Sequence, residues 1–524
     1  MNSNLSAALR SRLAQVASRP GLTLLTLLAA AVLLRFPSFF VSVINHDEST
    51  YIVIADEMLR GKTYWVDVFD TKPPGIFLIY ALLIQLTFGS IFGLRLAAAL
   101  VVGLTGWVLF HTGRRVTGDA SVGWVAGFGY VFATGIFTYY GVSPNTELFF
   151  NLFTSAALLV LLRPRGAIVS DTAYSSALPS PLARGWGRGP SLQPFERIHY
   201  YFAAGLLLGL GFCIKPMVLA ETAALGLWML YRIVLRRHWK TGLLQAVPAM
   251  AVGFLLPYAA VMAYYYFNGE WDNYAFWSLE VPGRYPAEKV WYMRLKFMGD
   301  FLLRYSPFVI TAGLAAWYRR ARDREFQLFL LAQFLLVTVV ITMPGKSFGH
   351  YQVQLFPPLM LAAGLWFAHY RSGIPGRRAW QRWGPAVFGL LFLTFTVINI
   401  VNYAKKMRED GSREVAAYLQ PLLRPGELVF AANSHQIIYH LLDRPVPTPY
   451  VHSSLLYYAH HQRAMRIDPA AEAHRIVNNP ALQYVVGRPA RDTGIITDSI
   501  LTYFHPIHSF GGKKDLILLQ RNAE

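Results

Sequence analysis

The segment Gly75–Ile91, GIFLIYALLIQLTFGSI, comes close to the length of a bilayer crossing, and whether it crosses sets the side of every later loop. Apolar windows of roughly 17 to 25 residues, enough to span hydrocarbon, also occur at 21–44, 94–113, 121–140, 147–163, 199–214, 215–232, 243–266, 300–318, 326–343, 353–370 and 383–403. Between them lie basic clusters at Arg114/Arg115, from Arg163 to Arg197, from Arg232 to Lys240, from Arg319 to Arg324 and from Arg371 to Arg382. Cytoplasmic loops carry the excess of Lys and Arg. If 75–91 crosses, the Arg114/Arg115 cluster and the Arg163–Arg197 loop fall outside and the later loops are inverted. If it does not, all five clusters join the N-terminal Arg10, Arg12 and Arg19 on the inner side. The segment therefore reads as a helix on, or dipping into, the outer interface, which leaves eleven spans.

Composition supports this class. Of 524 residues, 54% are hydrophobic and only 15% charged, against about a quarter charged in soluble domains. The net charge of +19 is dispersed in short clusters and forms no single basic face, which argues against a nucleic-acid partner. The one cysteine, Cys213, lies in an apolar run, so no intramolecular disulfide forms. The first apolar run lacks a small-residue cleavage site before RFPSFF and reads as an uncleaved span. The expected fold is a polytopic α-helical membrane protein, about eleven spans plus outer interfacial helices, over residues 1–403. Residues 404–524 are expected to form a small extracytoplasmic α/β domain. There the helical period of SREVAAYLQPLL and PAAEAHRIV alternates with the strand-like runs LVFAAN (428–433), QYVVG (483–487) and DLILLQ (515–520). Lys405, Lys406 and Arg408 sit outside in this scheme, an exception tolerated before a long translocated domain.

The same topology gathers the unusual residues on one face: NHDESTY (45–51), TKPPG (71–75), SPNTE (143–147), the 267–299 loop and GKSFGHYQ (345–352). Between 45 and 72 lie Asp47, Glu48, Asp56, Glu57, Asp67 and Asp70, against Arg60, Lys62 and Lys72. Ionised groups near hydrocarbon are costly, so such a density calls for a function or for water. Asp56 and Glu57, in the amphipathic stretch ADEMLRGKTYW, read as solvated. Lys72 precedes Pro73-Pro74, which stiffens the backbone. A lysine held there suits a phosphate oxygen, although snorkelling anchors occupy the same depth. Lys215, Lys346, His350, Arg284, Lys289, Arg294 and Lys296 share this face, and cations defying the inside bias imply an anionic ligand. Tyr51, Tyr64, Trp65, Trp271 and Trp277 are sugar-stacking candidates, with interface anchoring the commoner role for Trp and Tyr.

The acidic pair Asp47-Glu48 after the first span, the Lys72-Pro73-Pro74 turn, Asn145-Thr146-Glu147, and His350-Tyr351 followed by Pro357-Pro358 together resemble GT-C glycosyltransferases. The likeness is greatest to the protein O-mannosyltransferases and to the bacterial transferase that adds aminoarabinose to lipid A, and it runs in motif order over residues 20–403. The resemblance implies a polyprenyl-phosphate sugar as donor, Asp47 as catalytic acid residue with Glu48 its neighbour, Lys72 as a phosphate contact, and Asn145 with Glu147 as a second polar site. Some relatives carry aspartate in that second motif, so the role falls to either Asn145 or Glu147.

The chemistry of the residues agrees. Sugar transfer from phosphate to a hydroxyl needs a base, for which Asp47 is the candidate, and positive charge for the leaving phosphate, for which Lys72, Lys215, Lys346, His350 and Arg284 are candidates. Tyr51 and Tyr351 are candidate sugar or lipid contacts. One base and no nucleophilic carboxylate predict inversion. No cofactor is required, and a divalent metal bridging Asp47 and Glu147 is allowed but not demanded. The expected partners are the polyprenyl-phosphate sugar, a lipid, glycan or protein acceptor, and membrane lipids, with no nucleic acid. The expected location is a bacterial inner membrane, with the site and the C-terminal domain facing the periplasm or exterior. A transporter or flippase of an anionic lipid-linked sugar is the alternative, but transporters place ionisable groups near the midplane, often between repeats, and no repeat is present here.

Overall fold

The computed structural model describes residues 15–135, 141–163, 192–284, 291–317, 324–346, 348–371, 390, 393–394, 396–398, 400–401, 411–433, 435–452, 454–510 and 516–523. Most of the Arg163–Arg197, Arg319–Arg324 and Arg371–Arg382 clusters, much of the 383–403 window, the 403/404 boundary, and Lys289, Lys405, Lys406 and Arg408 lie outside these residues.

The chain is a multi-pass helical membrane protein. Among the described residues, five helices are long and apolar enough to cross: Pro20–Phe40, Ile91–Thr117, Pro216–Leu235, Trp239–Phe267 and Arg324–Thr342. Gly75–Thr87, Thr146–Leu161, Ile198–Ile214 and Ser306–Trp317 are shorter apolar helices. The deciding segment forms its own helix of 13 residues, Gly75–Thr87. At about 1.5 Å per residue it rises roughly 20 Å, short of a core about 30 Å thick. Phe88 and Gly89, both with positive φ, end it and let the chain re-enter a helix at Ile91. The 300–318 window is not one helix: Trp291–Arg304 and Ser306–Trp317 meet at Tyr305. The break comes two residues before Pro307, whose ring and missing N–H exclude it from a helix interior.

The chain divides into two compact units. The first comprises residues 1–36, 96–259 and 288–406. In it Thr146–Leu161 packs on Ile198–Ile214, Phe356–Arg371 packs on Ala120–Gly135 and Ser306–Trp317, and Leu219–Arg236 packs on Arg324–Thr342. Gly205 and Gly209, one turn apart, let their helix touch the neighbouring backbone directly: a Cβ would lie 2.1 Å from the Met250 carbonyl oxygen and 2.3 Å from that of Phe254. Close contact through small residues is how helices associate where lipid removes the hydrophobic drive.

The second unit comprises residues 37–95, 260–287 and 407–524. A four-stranded sheet organises its C-terminal part: β1 (Leu428–Ala431), β2 (Leu482–Gly487), β3 (Phe504–Phe510) and β4 (Leu516–Arg521), in the order β1-β2-β4-β3. β1 and β2 run parallel and the other pairs antiparallel. Val429, Val486 and Leu518 of the sheet bury against Val415, Leu419 and Ile438 from two helices. The edge strand β3 has no strand-like sequence signal. Pro506 cannot donate to a ladder, and an edge is where a sheet tolerates it.

Helix His46–Leu59 packs on Gly75–Thr87 and on Ile437–Leu441. Asn45 caps its start by accepting from the Asp47 N–H at 3.0 Å. Asp47 and Glu48 thus open a new helix instead of closing the preceding span, and first-turn acids suit the positive end of its dipole.

Candidate active site

Consecutive residues on a helix point about 100° apart, and this splits the acidic pair. Asp47 turns toward Lys72, whose Nζ donates to its Oδ1 at 3.0 Å. Both side chains keep some accessibility, 17% and 18%. Glu48 turns inward to Arg95, which binds Oε1 through Nε at 2.7 Å and Oε2 through Nη2 at 3.1 Å. The same guanidinium donates to the carbonyls of Ser38, Val41 and Ser42. Arg95 and Glu48 are each 2% exposed, so this pair is sealed.

Asp70 completes the cluster around Lys72. Its Oδ1 accepts from the Thr71 and Lys72 N–H groups and lies 3.5 Å from Lys72 Nζ, while Oδ2 is buried with no hydrogen-bond partner among the described residues. Tyr64 Oη donates to the carbonyls of Asp70 and Lys72, fixing the turn before Pro73. The Lys72 ammonium also lies over the Tyr51 ring, 5.2 Å from its centroid. Burial works against its charge, but Asp47, Asp70 and Tyr51 outweigh burial and raise the pKa well above the usual lysine value. Lys72 is therefore cationic at any physiological pH.

Residues 435–452 adjoin the same loop within this unit. Phe69 N–H donates to the Pro449 carbonyl at 2.9 Å, Phe69 bridges Tyr450 in parallel register, and Gln436 Nε2 donates to the His46 carbonyl and to Thr50. His440 binds Asp56 Oδ2 through Nδ1 at 2.7 Å and the Gly89 carbonyl through Nε2 at 2.8 Å. Glu57 pairs with Arg60 and Lys62 and accepts from the Val446 N–H. Asp56 and Glu57, expected to be solvated, are thus buried, because residues 437–446 cover their helix face. Tyr64 and Trp65 are buried as well, with Trp65 against Tyr265 and Tyr274, and Trp277 is buried on Phe69, while Trp271 stays exposed.

The other predicted residues lie in the first unit, apart from Arg284. Lys215, extended between the Ile198–Ile214 helix and the Pro216–Val218 turn, pairs with buried Glu147 Oε1, and its Nζ lies 3.8 Å from the Tyr351 ring centroid. Thr146 Oγ1 donates to Glu147 Oε2 at 3.0 Å, and Asn145 Nδ2 is buried without a partner among the described residues. The second motif therefore brings Glu147, not Asn145, to the cation. The buried His350 ring stacks on Phe348 and meets Tyr351 edge-on; Lys346 is half-buried. Arg284, in the second unit, is committed to Glu280 at 2.7 Å on an exposed helical turn. Among the described residues no three of His, Cys, Asp and Glu converge as metal ligands.

Residues 71–165 match the family model described as dolichyl-phosphate-mannose-protein mannosyltransferase, a stretch that takes in both Lys72-Pro73-Pro74 and Glu147. The backbone is similar to ArnT from Cupriavidus metallidurans in the apo state, with TM-score 0.58 at 16% identity over 94% of this chain and 97% of that one. It is similar also to the archaeal oligosaccharyltransferase AglB from Archaeoglobus fulgidus in complex with an inhibitory peptide and a dolichol-phosphate. That match has TM-score 0.51 at 10% identity over 92% of this chain and 72% of that one. The fold is that of the GT-C glycosyltransferases. No curated protein matches the chain in sequence. Within the GT-C fold, sequence reading missed Arg95 and Asp70 as partners of the motif residues. Arg95 could have been found as a lone charge near the start of an apolar run, where an unpaired guanidinium would be costly.

Proposed function

We propose that this protein transfers a glycosyl group from a polyprenyl-phosphate-linked donor to an acceptor hydroxyl at the outer face of the membrane. The contact between Asp47 and Lys72 carries this reading. It sets a proton acceptor against a fixed cation in a loop braced by two prolines. Residues 71–165 match a mannosyltransferase family model, and one structural relative named above is an oligosaccharyltransferase in complex with a dolichol-phosphate.

In the proposed step the acceptor hydroxyl oxygen attacks the anomeric carbon from the side opposite the phosphate. The carbon–oxygen bond to phosphate breaks, its electron pair stays on the phosphate oxygen, and the hydroxyl proton passes to the Asp47 carboxylate. Lys72 faces the growing negative charge. Asp70 is unsuited to act as a nucleophile, since it is buried and one oxygen is held by the Thr71 and Lys72 amides. A single displacement, with inversion, is the course this supports. Glu48 acts by holding Arg95 and the helix start. Within the first unit, Glu147 holds Lys215 against the Tyr351 ring.

The test is release of polyprenyl phosphate from a polyprenyl-phosphate sugar by purified protein. Asp47→Asn should lower release by about 10²–10⁴-fold, and full turnover in that variant would remove Asp47 from the mechanism. Routed as above, the step needs no metal, and turnover should survive EDTA.

A further inference from the structure

His452 belongs to none of the motifs, yet the fold delivers it to the Asp47–Lys72–Asp70 cluster. The Phe69–Tyr450 bridge is a single parallel contact, backed by the Phe69 N–H to Pro449 carbonyl bond, and it sets Tyr450, two residues before His452, against Phe69, the residue before Asp70. The ring has a fixed tautomer. The Ser454 N–H donates to Nδ1 at 3.3 Å and Ser454 Oγ lies 2.7 Å from it. A backbone N–H can only donate, so Nδ1 is the acceptor and the neutral ring carries its proton on Nε2. Among the described residues nothing bonds Nε2, and it is not sealed from solvent. Burial lowers the His452 pKa below the usual histidine value, and the opposing pull of Asp70 and Asp47 does not reverse this. The charges acting on His452 are two carboxylates, Asp70 and Asp47, and one ammonium, Lys72, and its neutral Nε2–H bonds no group among the described residues. Two carboxylates against one cation repel a phosphate unless further donors meet it.

We propose that His452, from the C-terminal part of the chain, is a phosphate-binding residue whose Nε2–H donates to a phosphate oxygen of the lipid-linked donor and of the polyprenyl phosphate product. The proposal rests on the donor chemistry proposed above.

Farnesyl phosphate titrated into protein in zwitterionic nanodiscs tests it, with inorganic phosphate as the arm that separates lipid-linked from free phosphate. Loss of one hydrogen bond to a charged group predicts that His452→Phe weakens farnesyl phosphate roughly ten- to a hundredfold. His452→Gln, whose amide nitrogen reaches the Nε2 position, should recover most of the affinity, and His452→Asn, which reaches only Nδ1, should not. This Gln/Asn contrast keeps the test decisive if the Phe variant fails to fold. Affinity unchanged in His452→Phe, or equal in the Gln and Asn variants, would overturn the role of His452 while wild-type binding and its loss in Lys72→Met upheld the donor reading. Absence of wild-type binding, or inorganic phosphate binding as tightly as farnesyl phosphate, would overturn the donor reading itself.

Discussion

Asp47 and Glu48 are neighbours in one helical turn, each paired to a cation, and their surroundings are opposite. The Glu48–Arg95 pair is sealed and every part of it is bonded to protein, whereas Asp47–Lys72 keeps a way out to solvent. Breaking a buried pair by removing one partner strands a charge, while a half-open pair loses little stability when water can replace the partner. The difference teaches that adjacency in sequence says nothing about shared duty. One acid is sealed with its arginine, and the other keeps partial access to solvent beside its lysine.

The comparison is broken most forcefully at Glu48. Glu48→Ala should cost about 3–5 kcal/mol by stranding Arg95, seen as a collapse of the thermal midpoint in detergent, and the double variant Glu48→Leu/Arg95→Met should regain part of it. An unchanged midpoint in the single variant would put Glu48 back among candidates for chemistry. Next comes Asp47→Asn, expected to lower turnover by about 10²–10⁴-fold while moving stability by less than about 1 kcal/mol. A large loss of stability there would make the two pairs alike.

The smallest effect concerns His440. Burial opposes its charge, but the Asp56 hydrogen bond and charge and the Gly89 carbonyl prevail and raise its pKa. Its contribution to stability is full below the ordinary histidine value of about 6.5 and is lost as pH rises through the higher folded value. The thermal midpoint should therefore fall modestly from slightly acidic to alkaline pH, and His440→Gln should flatten that slope.

Much of this was legible where a residue carried its own signal. Lys72 was marked by the two prolines after it and Asp47 by its place beyond an apolar run. Charge parity alone read segment 75–91 as a helix that does not cross, and the helix found there, Gly75–Thr87, has 13 residues. What stayed hidden depended on distant partners. The fate of Glu48 is decided 47 residues later, by an arginine in an apolar run. Asp56 and Glu57 looked solvated because their cover, residues 437–446, lies nearly four hundred positions away. His452 is placed by the Phe69–Tyr450 register, which no local pattern encodes. The strand β3 was masked by Pro506, which local propensity penalises and an edge permits.

The Gly75–Thr87 helix exposes Leu78, Leu82 and Leu86 at four-residue intervals, with Phe88 beyond them. Read as an interfacial helix, it would take its depth from the lipid through this stripe, as a float does from a water line. Pro73 and Pro74 join it to Lys72 with almost no slack. On the proposed reading the ammonium is thereby held at a set height above the acyl chains, and the membrane, through its thickness, becomes part of the ruler for the donor's phosphate.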